Sequence, residues 1–186
     1  EIKGDVLEIG HGVAKVFRRG LRRQGQAVWY GIDPKFPTNE RARSYHGRAG
    51  DLSRWPEGRF DWVGAFQSIE HWHERRDTVE GGLAEIYRVL KPGGRLLMSV
   101  PMHVHGAAVF WHGREAEVKG YFNQGWSAVE FERWRFDHRP LPRLLNWAWA
   151  YEIYQRGNLY AGRTEPDSSG QPEGPSVWQL EVLATK

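Results

Sequence analysis

Short apolar runs alternate with amphipathic stretches over the first hundred residues. Residues 5–10 form an apolar run that ends in a glycine turn. Val13, Val16, Phe17 and Leu21 then recur at helical spacing until Gly25, which predicts strand, tight turn, helix. Residues 27–32 read as a second strand stopped by Asp33-Pro34, since proline disfavours helical geometry at Asp33 and leaves that carboxylate at the strand's carboxyl end. Residues 37–46 are polar and hold at most a short helix. Residues 48–52 read as the end of a third strand, and residues 60–66 as a fourth, nearly continuous in apolar residues as a doubly covered parallel strand should be.

Val79, Leu83, Ile86, Tyr87 and Leu90 keep a helical stripe as far as Lys91-Pro92-Gly93-Gly94, where lysine suits the helix dipole and glycine the cap; residues 95–100 follow as a fifth strand. This alternation over residues 5–101 argues for a parallel sheet with right-handed crossovers, whose ligand-binding loops lie at the carboxyl ends of the strands. Beyond Pro101 the pattern loosens. A helix is expected at 114–122, an alternating strand at 126–136 and a last strand at 176–184. Between those strands, residues 137–175 make an irregular, proline-containing insertion, with a polar, mobile stretch expected at 165–174.

The 186 residues fit one domain, divided into a half at 1–101 that carries the turn motifs and a half at 102–186 that carries the insertion. A net charge of +3 points to no class of partner. Lys15, Arg18, Arg19, Arg22 and Arg23 crowd the first helix, but charge at these spacings marks a solvated face, and no nucleic-acid contact is predicted. The absence of cysteine removes disulfides, thiolate metal sites and cysteine nucleophiles, and is compatible with the cytoplasm, which is the expected location. No apolar span is long enough for a membrane helix. Six of the ten tryptophans follow residue 101, so aromatic rings are expected to carry much of the burial and to line part of an acceptor pocket.

The chemistry concentrates at the strand ends. Gly10 and Gly12, flanking His11, let backbone approach a ligand where strand turns into helix. A dinucleotide fingerprint would need glycine at position 15, which is lysine, so nicotinamide or flavin dinucleotides are disfavoured. The run Glu8, Gly10, Gly12 resembles the first motif of the class I methyltransferases, with Ala14 in place of the family's third glycine. Gly31-Ile32-Asp33 looks like the second motif and Gly50-Asp51-Leu52 like the third. Residues 60–72 resemble the fourth strand with its methyl-facing loop, and residues 88–97 the approach to the fifth strand.

The resemblance implies a Rossmann-like α/β fold, with a mostly parallel seven-stranded sheet flanked by helices and the insertion before the last strand. It also implies S-adenosyl-L-methionine as cofactor. Glu8, Gly10, His11, Gly12, Asp33, Asp51, Leu52 and Gln67 would surround that cofactor: Asp33 on the ribose hydroxyls, Asp51 on the adenine amino group, and the backbone N–H of Leu52 on a ring nitrogen. The transferred methyl would go to a small-molecule acceptor such as a sugar or secondary metabolite. His71 or His103 would remove a hydroxyl proton. His103, His105 and His112 lack a carboxylate at matching spacing, so no metal is predicted. An RNA or protein methyltransferase and a non-catalytic S-adenosylmethionine-binding module remain the alternatives. Oligomeric state is not legible.

Overall fold

A computed structural model of the chain describes residues 2–12, 16–102, 106–123, 125–136, 160–163 and 178–186. Strands β1 (Gly4–Ile9), β2 (Ala27–Asp33), β3 (Ser44–His46), β4 (Phe60–Phe66) and β5 (Leu90–Met102) form the parallel part of one sheet. Strands β6 (Ala128–Phe136), β7 (Tyr160–Arg163) and β8 (Trp178–Thr185) complete it, in the order β3-β2-β1-β4-β5-β8-β6-β7. The β5–β8, β8–β6 and β6–β7 pairings are antiparallel. Six of the seven expected strands lie where the sequence places them, the third lies upstream of its expected position, and β7, inside the 137–175 insertion, adds a short eighth at the edge. The rest of that insertion lies outside the described residues.

Helix α1 (Val16–Gln24) follows β1, and α2 (Val79–Val89) follows β4. Two short helices, α3 (Ala108–Trp111) and α4 (Glu115–Gly120), follow β5. Helix α2 begins where the Thr78 hydroxyl accepts the Gly81 N–H at 2.9 Å, a side-chain N-cap. Its buried stripe of Leu83, Ile86 and Val89 lies against the sheet core, where Leu7, Val63, Leu96, Met98 and Val182 are fully buried. Trp55 sets its ring edge-on to Tyr45 and Phe60, at 5.6 and 5.4 Å between centroids.

Two boundaries differ from the sequence reading. The third strand is Ser44–His46, while residues 48–51 close a turn through an isolated Arg48–Asp51 bridge. Ser44 and Tyr45, both buried, supply the pairing that the polar surroundings concealed. The second boundary is the helix end. Helix α2 stops at Val89, and Lys91 to Gly94 belong to β5, where a register shift against β4 forms a bulge around Gly93 at φ 73°. Glycine serves there as the bulge residue rather than as a helix cap.

The strand order reverses between β1 and β4. Connections leave the two strands in opposite directions and open a crevice at their carboxyl ends, the position where doubly wound sheets bind ligands.

Candidate active site

The turn after β1 forms one wall of the crevice. Gly10 sits at φ 67° and Gly12 at φ 54°, values that L side chains rarely adopt. The Gly10 N–H donates to the Ile32 carbonyl at 2.8 Å, and a Cβ at Gly10 would come within 2.6 Å of Ser68 Cβ. The first and fourth strand-end loops therefore touch at Gly10. Among the described residues a Cβ at Gly12 would meet nothing within 4 Å.

Asp33 ties this turn to the next. It is 4% exposed, accepting the Gly12 N–H on Oδ2 at 2.9 Å and the Lys35 N–H on Oδ1 at 2.8 Å. Each carboxylate oxygen retains a second lone pair, so the group can still accept from hydroxyls.

Glu8 and His11 are both engaged within the protein. Glu8 is buried, accepting the Trp29 indole N–H at 2.7 Å and the Phe17 N–H at 3.3 Å in the first turn of α1, where a negative charge suits the helix N-terminus. His11 is also buried. Its Nδ1–H donates to the Gly12 carbonyl at 2.8 Å, which leaves Nε2 of the neutral ring to accept from the Ser44 hydroxyl at 2.8 Å. The ring stacks on Phe36 at 5.5 Å. These bonds tie the glycine turn to β2, β3 and the start of α1. Ala14 and Lys15 lie outside the described residues.

The Gly50–Leu52 segment is held from behind. The Gly50 N–H donates to Asp77 at 3.2 Å, and a Cβ at Gly50 would stand 2.3 Å from that carboxylate. Asp51 is exposed; the Ser53 hydroxyl at 2.7 Å and N–H at 3.3 Å both donate to its Oδ1 and hold its carboxyl below the usual range. It is a charged acceptor at neutral pH. Leu52 departs from expectation. It is fully buried, and its N–H donates to Glu85 Oε2 at 2.9 Å, so it is not presented to a ligand. Arg88 completes the brace, donating to Glu85 and to the Leu52 and Trp55 carbonyls.

Opposite the glycine turn, Gln67 occupies φ 52°, a conformation that costs a non-glycine residue energy and tends to be kept at functional sites. Its Nε2 donates to Gln179 Oε1 on β8 at 2.6 Å. Its own Oε1 is buried without a hydrogen-bond partner among the described residues, as is Ser68 Oγ. His71 lies on a 3₁₀ helix, Ile69–Arg75, with its side chain 42% exposed. Its Nδ1–H donates to Glu74 Oε1 at 2.6 Å, and the Glu74 carboxyl is held below its ordinary value chiefly by that bond. His103 lies outside the described residues.

The loops at the carboxyl ends of β1 and β4 are thus brought together, with Asp33 bonded into the first of them. Sequence reasoning missed Trp29, Ser44, Glu74, Glu85, Arg88 and Gln179. The spacing of His71 and Glu74 on one helical turn was a usable signal. Nothing in the sequence marks Gln179, which reaches the site across 112 positions.

Residues 7–98 match the family model described as a methyltransferase domain. No curated protein matches the chain by sequence. Among solved structures, the YcgJ protein of Bacillus subtilis is 18% identical with a TM-score of 0.62, covering 99% of this chain and 92% of its own. A SAM-dependent methyltransferase from Archaeoglobus fulgidus is 14% identical with a TM-score of 0.59, covering 99% and 86%. Phosphoethanolamine N-methyltransferase 2 of Haemonchus contortus, solved with S-adenosyl-L-methionine, is 15% identical with a TM-score of 0.56, covering 100% of this chain and 49% of its own. At these identities the likeness is one of fold. Together with the family match and the strand-end motifs, it assigns the chain: it belongs to the class I methyltransferases, enzymes that use S-adenosyl-L-methionine.

Proposed function

We propose that the chain methylates a hydroxyl of a small molecule such as a sugar or secondary metabolite, with His71 as general base. The observation that carries this reading is the 2.6 Å bond from His71 to Glu74 in the loop after β4, on an exposed ring beside the crevice.

The residues present fit the cofactor. Among the described residues, a Cβ at Gly12 would meet nothing and the buried amide oxygen of Gln67 has no hydrogen-bond partner. Asp33 would hold the ribose hydroxyls through its remaining lone pairs, and Asp51 would accept from the adenine amino group. The Gly10–Gly12 backbone would lie against the amino-acid end, with Gln67 beside it. Glu8 and His11 would contribute by fixing that turn.

S-adenosylmethionine supplies an electrophilic methyl group, so the protein's main tasks are alignment and deprotonation. With Nδ1–H committed to Glu74, Nε2 is the basic atom left to His71, and the buried Glu70 carboxylate lies 4.0 Å from it. Transfer to a hydroxyl would break the methyl–sulfur bond, with S-adenosylhomocysteine leaving, as the C–O bond forms; His71 Nε2 would take the hydroxyl proton, and the Glu74 carboxylate would stabilise the resulting imidazolium.

The test is turnover on a panel of small hydroxyl and amine acceptors with wild type and His71→Ala. A loss of about 10²- to 10⁴-fold on a hydroxyl acceptor, with cofactor affinity unchanged, supports the base. Full activity of the variant on a hydroxyl substrate overturns it. Turnover confined to amines, whose lone pair needs no base of this kind, replaces the hydroxyl reading. Glu74→Gln should give a smaller loss than His71→Ala.

A further inference from the structure

The connection from β2 to β3 is short for a parallel crossover, which usually carries a helix that covers the sheet. Here residues 34–43 hold a single 3₁₀ turn, Glu40–Ala42. Between that turn and α1 the flank of β2 opens into a cleft of about 310 Å³, at the lower end of the range for small-ligand pockets. Leu21 and Trp29 line it, together with four arginines: Arg18 and Arg22 from α1, and Arg41 and Arg43 from the connection. Arg18 and Arg22 stand four apart on the helix and so share a face.

Elsewhere on the surface several guanidinium groups are met by carboxylates, Arg48 by Asp77, Arg54 by Glu40, Arg88 by Glu85 and Arg114 by Glu117. The cleft is different. Among the described residues no carboxylate lines it and no acidic side chain pairs with any of these four arginines; even Glu40, next to Arg41 in sequence, turns to Arg54 at 3.4 Å. Arg18 lies over the Trp29 ring at 4.7 Å and Arg43 over Tyr30 at 5.7 Å, contacts that hold guanidinium groups in place without neutralising them. Four like charges gathered from two elements repel one another, and a multivalent anion removes that repulsion.

Guanidinium groups offer planar forks that match phosphoryl oxygens two at a time. Four forks exceed what one carboxylate can accept and suit adjacent phosphate groups. We infer that this cleft binds a ligand carrying two or more neighbouring phosphates, at a site separate from the crevice between β1 and β4. Its lining runs from Arg18 down to Gly25 and Ala27 at the amino end of β2, away from the strand ends that hold Gly10, Asp33 and Gln67. Such phosphates belong either to a free phosphorylated compound or to a polynucleotide backbone.

The test uses the full chain with S-adenosylhomocysteine saturating, so that the cofactor crevice is filled. Inorganic pyrophosphate is titrated by calorimetry and a short single-stranded RNA by fluorescence anisotropy. Pyrophosphate binding that falls about tenfold or more in the Arg22→Gln/Arg41→Gln double variant, with unchanged circular dichroism and unchanged cofactor affinity, supports the site. If the double variant does not fold, Arg41→Gln alone, at an exposed residue, should weaken binding about tenfold. RNA binding with the same sensitivity, displaced by pyrophosphate, assigns the phosphates to a polynucleotide; pyrophosphate binding alone assigns them to a free compound. The inference is overturned if neither probe binds in an arginine-dependent way, or if pyrophosphate competes with S-adenosylhomocysteine.

Discussion

The Trp29 indole N–H donates to Glu8 Oε2 across 2.7 Å, and the same carboxylate receives the Phe17 N–H. One buried acid thereby links β1, β2 and the start of α1, directly beneath the glycine turn. Trp29→Phe keeps an aromatic ring but removes the donor from a buried charge. The expected cost is about 1–3 kcal/mol, seen as a lower denaturation midpoint. An unchanged midpoint would show that this link contributes little.

Gly10 is limited twice over, by its φ of 67° and by Ser68 Cβ at 2.6 Å from any side chain placed there. Gly10→Val should drive the first and fourth strand-end loops apart and abolish S-adenosylmethionine binding, measured by calorimetry, while far-UV circular dichroism stays close to wild type. Normal binding by this variant would remove the turn from the cofactor site.

Asp33→Asn replaces a two-oxygen acceptor by a group with one acceptor atom, in nearly the same volume. Cofactor affinity should fall by about 1.5–3 kcal/mol, the range for hydrogen bonds to a charged group. Retained affinity would exclude Asp33 as the ribose anchor.

The Glu85 carboxyl is held below the usual range, first by its hydrogen bonds from Arg88, against an opposing contribution from burial and with help from the Leu52 N–H. A carboxyl depressed in the folded state contributes stability that is present above its unfolded value, about 4.3, and is lost as pH falls through the lower folded one. Arg88→Ala removes the cause of the depression and also leaves the Leu52 and Trp55 carbonyls without their donor. Acid unfolding should therefore begin at higher pH, with a loss of about 1–3 kcal/mol at neutral pH. Coincident acid-unfolding curves for variant and wild type would contradict this.

The strands and the two glycines were legible because they depend on local pattern: apolar runs of the right length, and glycine where φ turns positive. The third strand was not, because Ser44 and His46 carry no apolar signal and the strand exists only by pairing with β2. The same limit governs the site. Asp33 could be placed by its position before a proline, whereas the burial of Glu8 and His11 follows from Trp29 and Ser44, 21 and 33 positions away. The Leu52 N–H reads as available in the sequence and is taken by Glu85 in the fold. In each case the missed information is which partner a polar group meets across the sheet.

Strand β8 lies between β5 and β6 and is hydrogen-bonded to both. A ribosome synthesises it after every other described strand. Until it emerges, the outer edge of β5 stays open and β6 has no neighbour through which to join the sheet; unpaired edges of this kind are where nascent chains misassociate. The Gln67–Gln179 bond forms only once that strand docks, so the pocket wall closes after every residue assigned to the cofactor has already been made. Synthesis halted just before β8 should therefore yield a chain that carries every residue assigned to the cofactor and still needs protection by a chaperone.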